Sequence, residues 1–372
     1  MKCIILSDNL KKILTLIERS TVRDITLPIL NSFLISAESG LIKITGTNLE
    51  FGVESSIRGS IQENGSIVIP AKIFSSYIST LQKNEKVGLE SIGNDVVIKT
   101  QSQETIFKGF PFEDFPPFPH IKELYTITLG RSDILGALTK TLVAISRSTI
   151  KPELSSVLFK ITKETVVLSS TDSFRLSEEK IKPISYSAGV SQESFLLPLR
   201  TCEELIKICE FSDESEVIFS VGRGEVFIRT TNTSLYSRLT EGNFPEYQQI
   251  ISKQYSTSVV VDRQLLAGHI KRASIFSNKL NSVTLTLNPE SKTYAVESNN
   301  SDIGDYKAEF QSDSKGSPIT IAFNFHYLLD GVESFTDESL FMGFNGDSSP
   351  LLIKSPKKES SLYVVMPMKG AV

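Results

Sequence analysis

Three cysteines, three histidines and no long apolar run mark what this 372-residue chain does without. Cys3, Cys202 and Cys209 are too few and too scattered for a disulfide framework. Cys202 and Cys209 share the apolar face of one helix pattern and read as core residues, not a redox pair. A reducing, cytoplasmic compartment is the expectation. His120, His269 and His326 fall in no metal-ligand spacing, so surface or packing roles are expected and no metal. No apolar stretch approaches the ~20 residues of a membrane span. The start, Met1 to Asp8, turns acidic too soon for a signal peptide, so no membrane association is expected.

Catalytic signatures are equally scarce. There is no phosphate-binding Gly-x-x-x-x-Gly-Lys-Ser/Thr loop and no Gly-x-Ser-x-Gly elbow. Gly222-Arg223-Gly224 sits between two strand patterns and reads as a hairpin turn. Glu178-Glu179 and Glu203-Glu204 are adjacent carboxylates whose side chains diverge, and they read as solvated surface. With no nucleophile–base pair in view, the expectation is a protein that is not an enzyme and takes no cofactor.

What the chain does have is a pattern stated three times. A first amphipathic helix recurs as Leu10, Ile13, Leu14, Ile17; as Leu135, Leu138, Leu142, Ile145; and as Leu266, Ile270, Ala273. A second recurs as Ile73, Phe74, Tyr77, Ile78, Leu81; as Cys202, Leu205, Ile206, Cys209; and as Phe325, Leu328, Leu329, Val332. Spacings of three and four put these side chains on one helical face. The second helices follow Ile69-Pro70, Leu197-Pro198 and Ile321-Ala322. That period is far longer than the roughly 20–50 residues of a solenoid unit, so the repeat is a domain.

Between the helices the chain is β-rich. Val87–Leu89 with Val96–Lys99, Val217–Val221 with Glu225–Arg229, and Val283–Leu287 with Thr293–Glu297 each flank a turn and read as hairpins. Ile42–Thr45 runs into a Gly46-Thr47-Asn48 turn. Proline-rich Phe110–Pro119 and its echo Gly242–Tyr247 mark junctions. Boundaries near 121 and 250 give three domains, 1–121, 122–249 and 250–372, of an α+β class, each with two helices on antiparallel sheet.

Net charge is −4, from 39 basic and 43 acidic residues. Basic residues outnumber acidic ones within the six helix patterns, while the remainder is acidic. A local basic surface is compatible with a negative total. Residue patterns alone also leave open a β-rich protein-binding scaffold, or an enzyme working at a domain junction.

Several segments, in order along the full length, resemble the bacterial sliding clamps, the β subunit of DNA polymerase III. Thr26-Leu27-Pro28-Ile29-Leu30 and Gly46-Thr47-Asn48-Leu49-Glu50 look like the family's early segments. Ser170-Thr171-Asp172-Ser173-Phe174-Arg175-Leu176 is similar to its Thr-Asp-Gly-His-Arg-Leu motif, with Ser173-Phe174 in place of Gly-His. Gly242-Asn243-Phe244-Pro245-Glu246-Tyr247 resembles Gly-x-Phe-Pro-Asp-Tyr. Phe323-Asn324 with Tyr327–Asp330 fits the last helix, and Tyr363–Lys369 is close to Tyr-Val-Val-Met-Pro-Met-Arg.

The resemblance implies three clamp domains per chain and a head-to-tail homodimer ring around duplex DNA, with helices lining the hole. It implies processivity without chemistry, in which the ring tethers the replicative DNA polymerase. Sequence-independent phosphate contacts are expected from Lys11, Lys12, Arg19, Arg23, Lys72, Lys140, Arg147, Arg200, Lys207, Arg263, Lys271 and Arg272. Plain solvation is the everyday alternative for each. A groove for short apolar peptides of the polymerase, the clamp loader and repair proteins is implied at Leu154, Thr171, Phe174, Arg175, Leu176, Pro245, Ile250, Asn324, Tyr327, Val364, Met366, Pro367 and Met368. The Ser173-Phe174 departure gives that groove a bulkier, less polar wall. Phe107, Ile275 and Phe276 are the apolar candidates for the dimer contact, with core packing as their alternative.

Overall fold

The computed structural model describes residues 1–21, 27–187 and 192–368. Its helices are α1 (Ser7–Ile17), α2 (Ala71–Thr80), α3 (Arg131–Thr141), α4 (Leu199–Phe211), α5 (Arg263–Ser274) and α6 (Phe325–Ser334). Each lies where the apolar spacing places one. α1 buries Leu10, Ile13, Leu14 and Ile17, and α4 buries Cys202, Leu205, Ile208 and Cys209. α3 is shorter and turned relative to expectation. It buries Ile134, Ala137 and Leu138, while Leu135 and Leu142 are only half-buried. The helix gives way after Thr141, whose hydroxyl folds back onto the Ala137 carbonyl and whose own carbonyl accepts from Ser170 Oγ. Leu142–Ala144 then forms a single tighter turn. Two later helices carry side-chain N-caps: Asp262 accepts from Leu265 N at 2.7 Å, and Asn324 from His326 N at 2.9 Å.

The chain packs as two compact units. The first holds Met1–Ser132, Pro183–Gly189 and Glu203–Leu239; the second holds Asp133–Lys182, Val190–Cys202 and Thr240–Val372. All strand pairs described below are antiparallel. In the first unit a five-stranded sheet runs in the order 60–63, 2–6, 86–92, 95–99, 104–108. Its second sheet has nine strands, in the order 183–186, 125–130, 216–221, 225–229, 233–238, 51–58, 41–47, 32–38, 65–70. In the second unit the nine-stranded sheet runs 192–198, 156–162, 166–171, 175–181, 361–365, 351–354, 339–344, 257–262, 313–316. A four-stranded sheet follows the order 304–311, 293–300, 282–288, 319–324. The three expected hairpins are present in these sheets.

Each nine-stranded sheet contains a seam at which strands from neighbouring thirds of the sequence pair. In the first unit Leu235 faces Val53 and Tyr236 faces Gly52. In the second unit Arg175 faces Val365 and Leu176 faces Val364. Both seams begin at the same kind of turn. Asn48 Oδ1 accepts from Glu50 N and Phe51 N; Asp172 Oδ1 accepts from Phe174 N and Arg175 N. Leu49 and Ser173, the residues between, both have positive φ, 74° and 78°.

The main core of the second unit gathers α5, α6 and both sheets around Phe323, Phe344 and Tyr363. Tyr363 reaches it because Gly331 leaves room on α6: a Cβ there would fall 2.3 Å from Tyr363 Cε1. Truncating a fully buried aromatic such as Phe323 to alanine would cost about 3–5 kcal/mol. A smaller satellite core, Leu176, Tyr247, Leu352 and Val364, lies under residues 244–251.

Candidate peptide groove and basic surface

Strand 175–181 and the chain's last strand set the floor of the candidate groove. Leu176 and Val364 face one another across the seam and are 1% and 2% exposed, so they underlie the surface. Beyond the strand, proline at 367 breaks the pattern and the tail is pinned from two sides. Met366 N donates to the Phe174 carbonyl, and Met368 N to the Ala322 carbonyl, both at 2.8 Å. Phe174 is 59% exposed, Ile250 44% and Met366 36%, an apolar rim that water meets. Pro245, shortly before Ile250 in the chain, is also exposed, while Leu154 and Thr171 are buried. Thr171 Oγ1 donates to the Arg175 carbonyl and so closes the turn.

Charge inside this rim is internally balanced. Arg175 Nε donates to Asp172 Oδ2 at 2.9 Å and Nη1 to Asp330 Oδ2. Its guanidinium also lies over the Tyr327 ring, on which Phe174 stacks with centroids 6.2 Å apart. Burial works against the Arg175 charge, but Tyr363, Asp330 and Asp172 outweigh it and hold the group above its ordinary range. A fixed, neutralised arginine shapes a wall; it does not offer a free cation. A cavity of about 510 Å³ continues from this wall past Val143, Ile145 and Arg147. Asn324, a candidate groove residue, accepts from His326 N through Oδ1 at the α6 N-terminus.

The candidate DNA-facing residues divide by environment. Lys12, Arg19, Lys72, Arg147, Arg200, Lys271 and Arg272 are exposed. Lys11 Nζ donates to the Leu81 carbonyl at 2.6 Å, and Arg263 Nε to the Asp337 carbonyl at 2.9 Å. Lys207 and Arg19 both approach Glu204 Oε1, at 2.8 and 3.6 Å. Lys140 meets Glu179 at 3.4 Å, and Lys271 meets Glu333. Arg272 donates to His269 Nε2 at 3.1 Å; burial first, then Arg272, lowers the His269 pKa. Arg23 lies outside the described residues.

Of the candidate contact residues, Ile275 is 66% exposed and Phe276 stacks on Tyr306 of strand 304–311. Phe107 is 9% exposed, edge-on to Phe74 and Tyr77. Its strand neighbour Ile106 is the exposed one, at 59%. Strand alternation could have identified Ile106 from the sequence.

The adjacent carboxylates are not the solvated pairs expected. Glu178 and Glu179 are 4% and 6% exposed, and Glu204 is 2% exposed. Each has partners: Tyr247 and Lys180 for Glu178, Lys140 and Ser361 for Glu179, Lys207 and Arg19 for Glu204. Among the described residues no group of three or more His, Cys, Asp or Glu is placed to hold a metal. No described helix is long and apolar enough to cross a membrane.

Comparison with known proteins accounts for this arrangement. Family profiles match along nearly the whole chain: the DNA polymerase III beta subunit N-terminal domain at 1–119, central domain at 128–246 and C-terminal domain at 248–369. The beta sliding clamp of Synechococcus elongatus is 24% identical over 374 residues, covering 99% of each chain. The crystal structure of the DNA polymerase sliding clamp from Bacillus subtilis superposes with a TM-score of 0.92, at 24% identity and 99% coverage of both chains. A Pseudomonas aeruginosa sliding clamp bound to griselimycin gives 0.92 at 23% identity, with 99% of both chains covered. Three consecutive domain matches, in order and nearly end to end, leave one conclusion: the chain belongs to the DNA polymerase III beta subunit family, the bacterial sliding clamps.

Proposed function

We propose that two copies of this chain close head to tail into a ring around duplex DNA, in three clamp domains per copy at 1–121, 122–249 and 250–372. The observation that carries the reading is a missing third seam. The last strand of the second third pairs with 51–58, and the last strand of the final third pairs with 175–181. The last strand of the first third, 104–108, ends its sheet, and so does 304–311, the counterpart of 51–58 and 175–181. Pairing 104–108 of one copy with 304–311 of the other repeats the same joint and closes both edges. Exposed Ile73 and Ile106 accompany one edge, and Ile275 and Ile303 the other.

In this reading the ring acts by enclosure, without catalysis or cofactor, in the cytoplasm. Weak phosphate contacts from the exposed basic residues, Lys12, Arg19, Lys72, Arg147, Arg200, Lys271 and Arg272, let it slide. The Phe174–Met366 groove docks short apolar peptides from the replicative polymerase, the clamp loader and repair proteins.

Negative-stain images of the purified protein and its mass in solution test the ring. A two-chain ring with a hole wide enough for duplex DNA is expected. Ile106→Arg or Ile275→Arg is expected to give folded monomers with wild-type circular dichroism. Either variant remaining a dimer, or a wild-type chain that stays monomeric at all concentrations, would overturn the proposed joint.

A further inference from the structure

The two seams share a turn and a carboxylate facing a hydroxyl, and they differ in the ring that covers that pair. In the first unit Thr45 faces Glu54 across its hairpin; in the second Ser169 faces Glu178 in the same place. At the first seam Thr45 Oγ1 donates directly to Glu54 Oε2 at 3.2 Å, and Lys43 pairs with Glu54 at 3.3 Å. The ring lying over that hairpin is Phe118, packed against Gly52 and Phe227. It has no hydroxyl. At the second seam the ring is Tyr247, and its hydroxyl is inserted between the two side chains. It donates to Glu178 Oε2 at 2.6 Å and sits 2.8 Å from Ser169 Oγ. Tyr247 is 7% exposed and rests on Leu176 and Val364, the groove floor, with Phe244 edge-on at 5.9 Å.

We propose that Tyr247 is the positioning residue of the peptide groove: by binding buried Glu178 and Ser169 it pins residues 244–251 over the seam and fixes the wall that Pro245 and Ile250 present. The inference rests on the peptide-groove reading. A hydrogen bond to a buried carboxylate is among the stronger single contacts available to a loop. Pro245 and Ile250 are exposed and flank Tyr247 closely in sequence, so the ring is the segment's buried anchor. The first seam lacks the hydroxyl, and Glu54 there remains open to water at 25% side-chain exposure. Chain closure alone therefore does not require the anchor.

The test uses the full chain and a fluorescein-labelled peptide, Ser-Leu-Ala-Leu-Phe, read by anisotropy, with amide hydrogen exchange followed over 244–251. Tyr247→Phe and Glu178→Leu are expected to weaken the peptide about fivefold or more and to speed exchange in that segment. Glu178→Gln keeps an acceptor for the hydroxyl but not its charge, and is expected to lose clearly less affinity than Glu178→Leu. Wild-type affinity in Tyr247→Phe, with Met366→Ala weakened, overturns the anchor and leaves the groove standing. Equal losses in Glu178→Gln and Glu178→Leu tie the effect to charge or folding and also overturn it. A wild-type chain that does not bind the peptide, or binds it no better than Met366→Ala, overturns the groove and the anchor with it.

Discussion

The guanidinium of Arg175 lies 4.4 Å from the centre of the Tyr327 ring while bridging Asp172 and Asp330. One planar cation therefore ties the seam turn to α6. Lysine has neither the fork nor the flat face for this. Arg175→Lys is expected to lower unfolding free energy by about 1–2 kcal/mol in urea at unchanged m. Unchanged stability would mean that the two carboxylates carry no coupling between turn and helix.

Ser173 has φ 78° in a position that favours glycine. Ser173→Gly removes that strain and is expected to raise stability by about 0.5–1 kcal/mol, partly offset by the freer unfolded chain. Denaturant midpoints compare the two proteins directly. A lower midpoint for the glycine variant would show that the side chain, not the backbone, matters there.

Burial raises the Glu179 carboxyl above its usual range, against the opposing pull of Ser361 and Lys140. The native state then holds its proton to higher pH than the unfolded chain does. The contribution to stability is full below the unfolded value of about 4.3 and is lost as pH rises through the raised native one. Glu179→Gln cannot ionise. Its stability relative to wild type should climb with pH across that window and then level off. Urea unfolding from about pH 4 to 8 reads the difference; a difference independent of pH would count against the buried carboxyl as its source.

All three thiols are buried, and burial pushes Cys3 up to about 11 and Cys209 to about 12. A thiol held protonated is a poor nucleophile. In a mildly alkaline thiol assay the native chain should show no fast-reacting cysteine, and the denatured chain three. A rapid native reaction at Cys202 would place it at a surface.

The helices and hairpins were legible because their signals are local. Leu10, Ile13, Leu14 and Ile17 declare a face on their own, and Val217–Val221 with Glu225–Arg229 needs only its turn. The helical phase of α3 is less legible. Its buried stripe is set by Ile134 and Ala137, and the end at Thr141 depends on Ser170, far along the chain. Family likeness supplied the candidate groove segments, and the fold brings Leu176, Tyr247 and Val364 into one cluster. What no local pattern could give was the burial of Glu178 and Glu179. Alternation does send them to opposite faces, but both faces are covered, one by Tyr247 and the other by Lys140 and Ser361. Covering by distant segments is a property of topology, not of neighbouring residues.

The second seam has a consequence for synthesis on the ribosome. Strand 175–181 cannot meet its partner until residues 361–365 have been made. At the ~5–20 residues per second of translation, that leaves the strand's edge open for roughly ten to forty seconds. An open, apolar edge of that duration invites pairing with other nascent chains, and charge on the edge discourages it. Glu178 and Glu179 sit in the middle of this strand. Costly once enclosed, the two carboxylates put charge on that edge until residues 361–365 arrive.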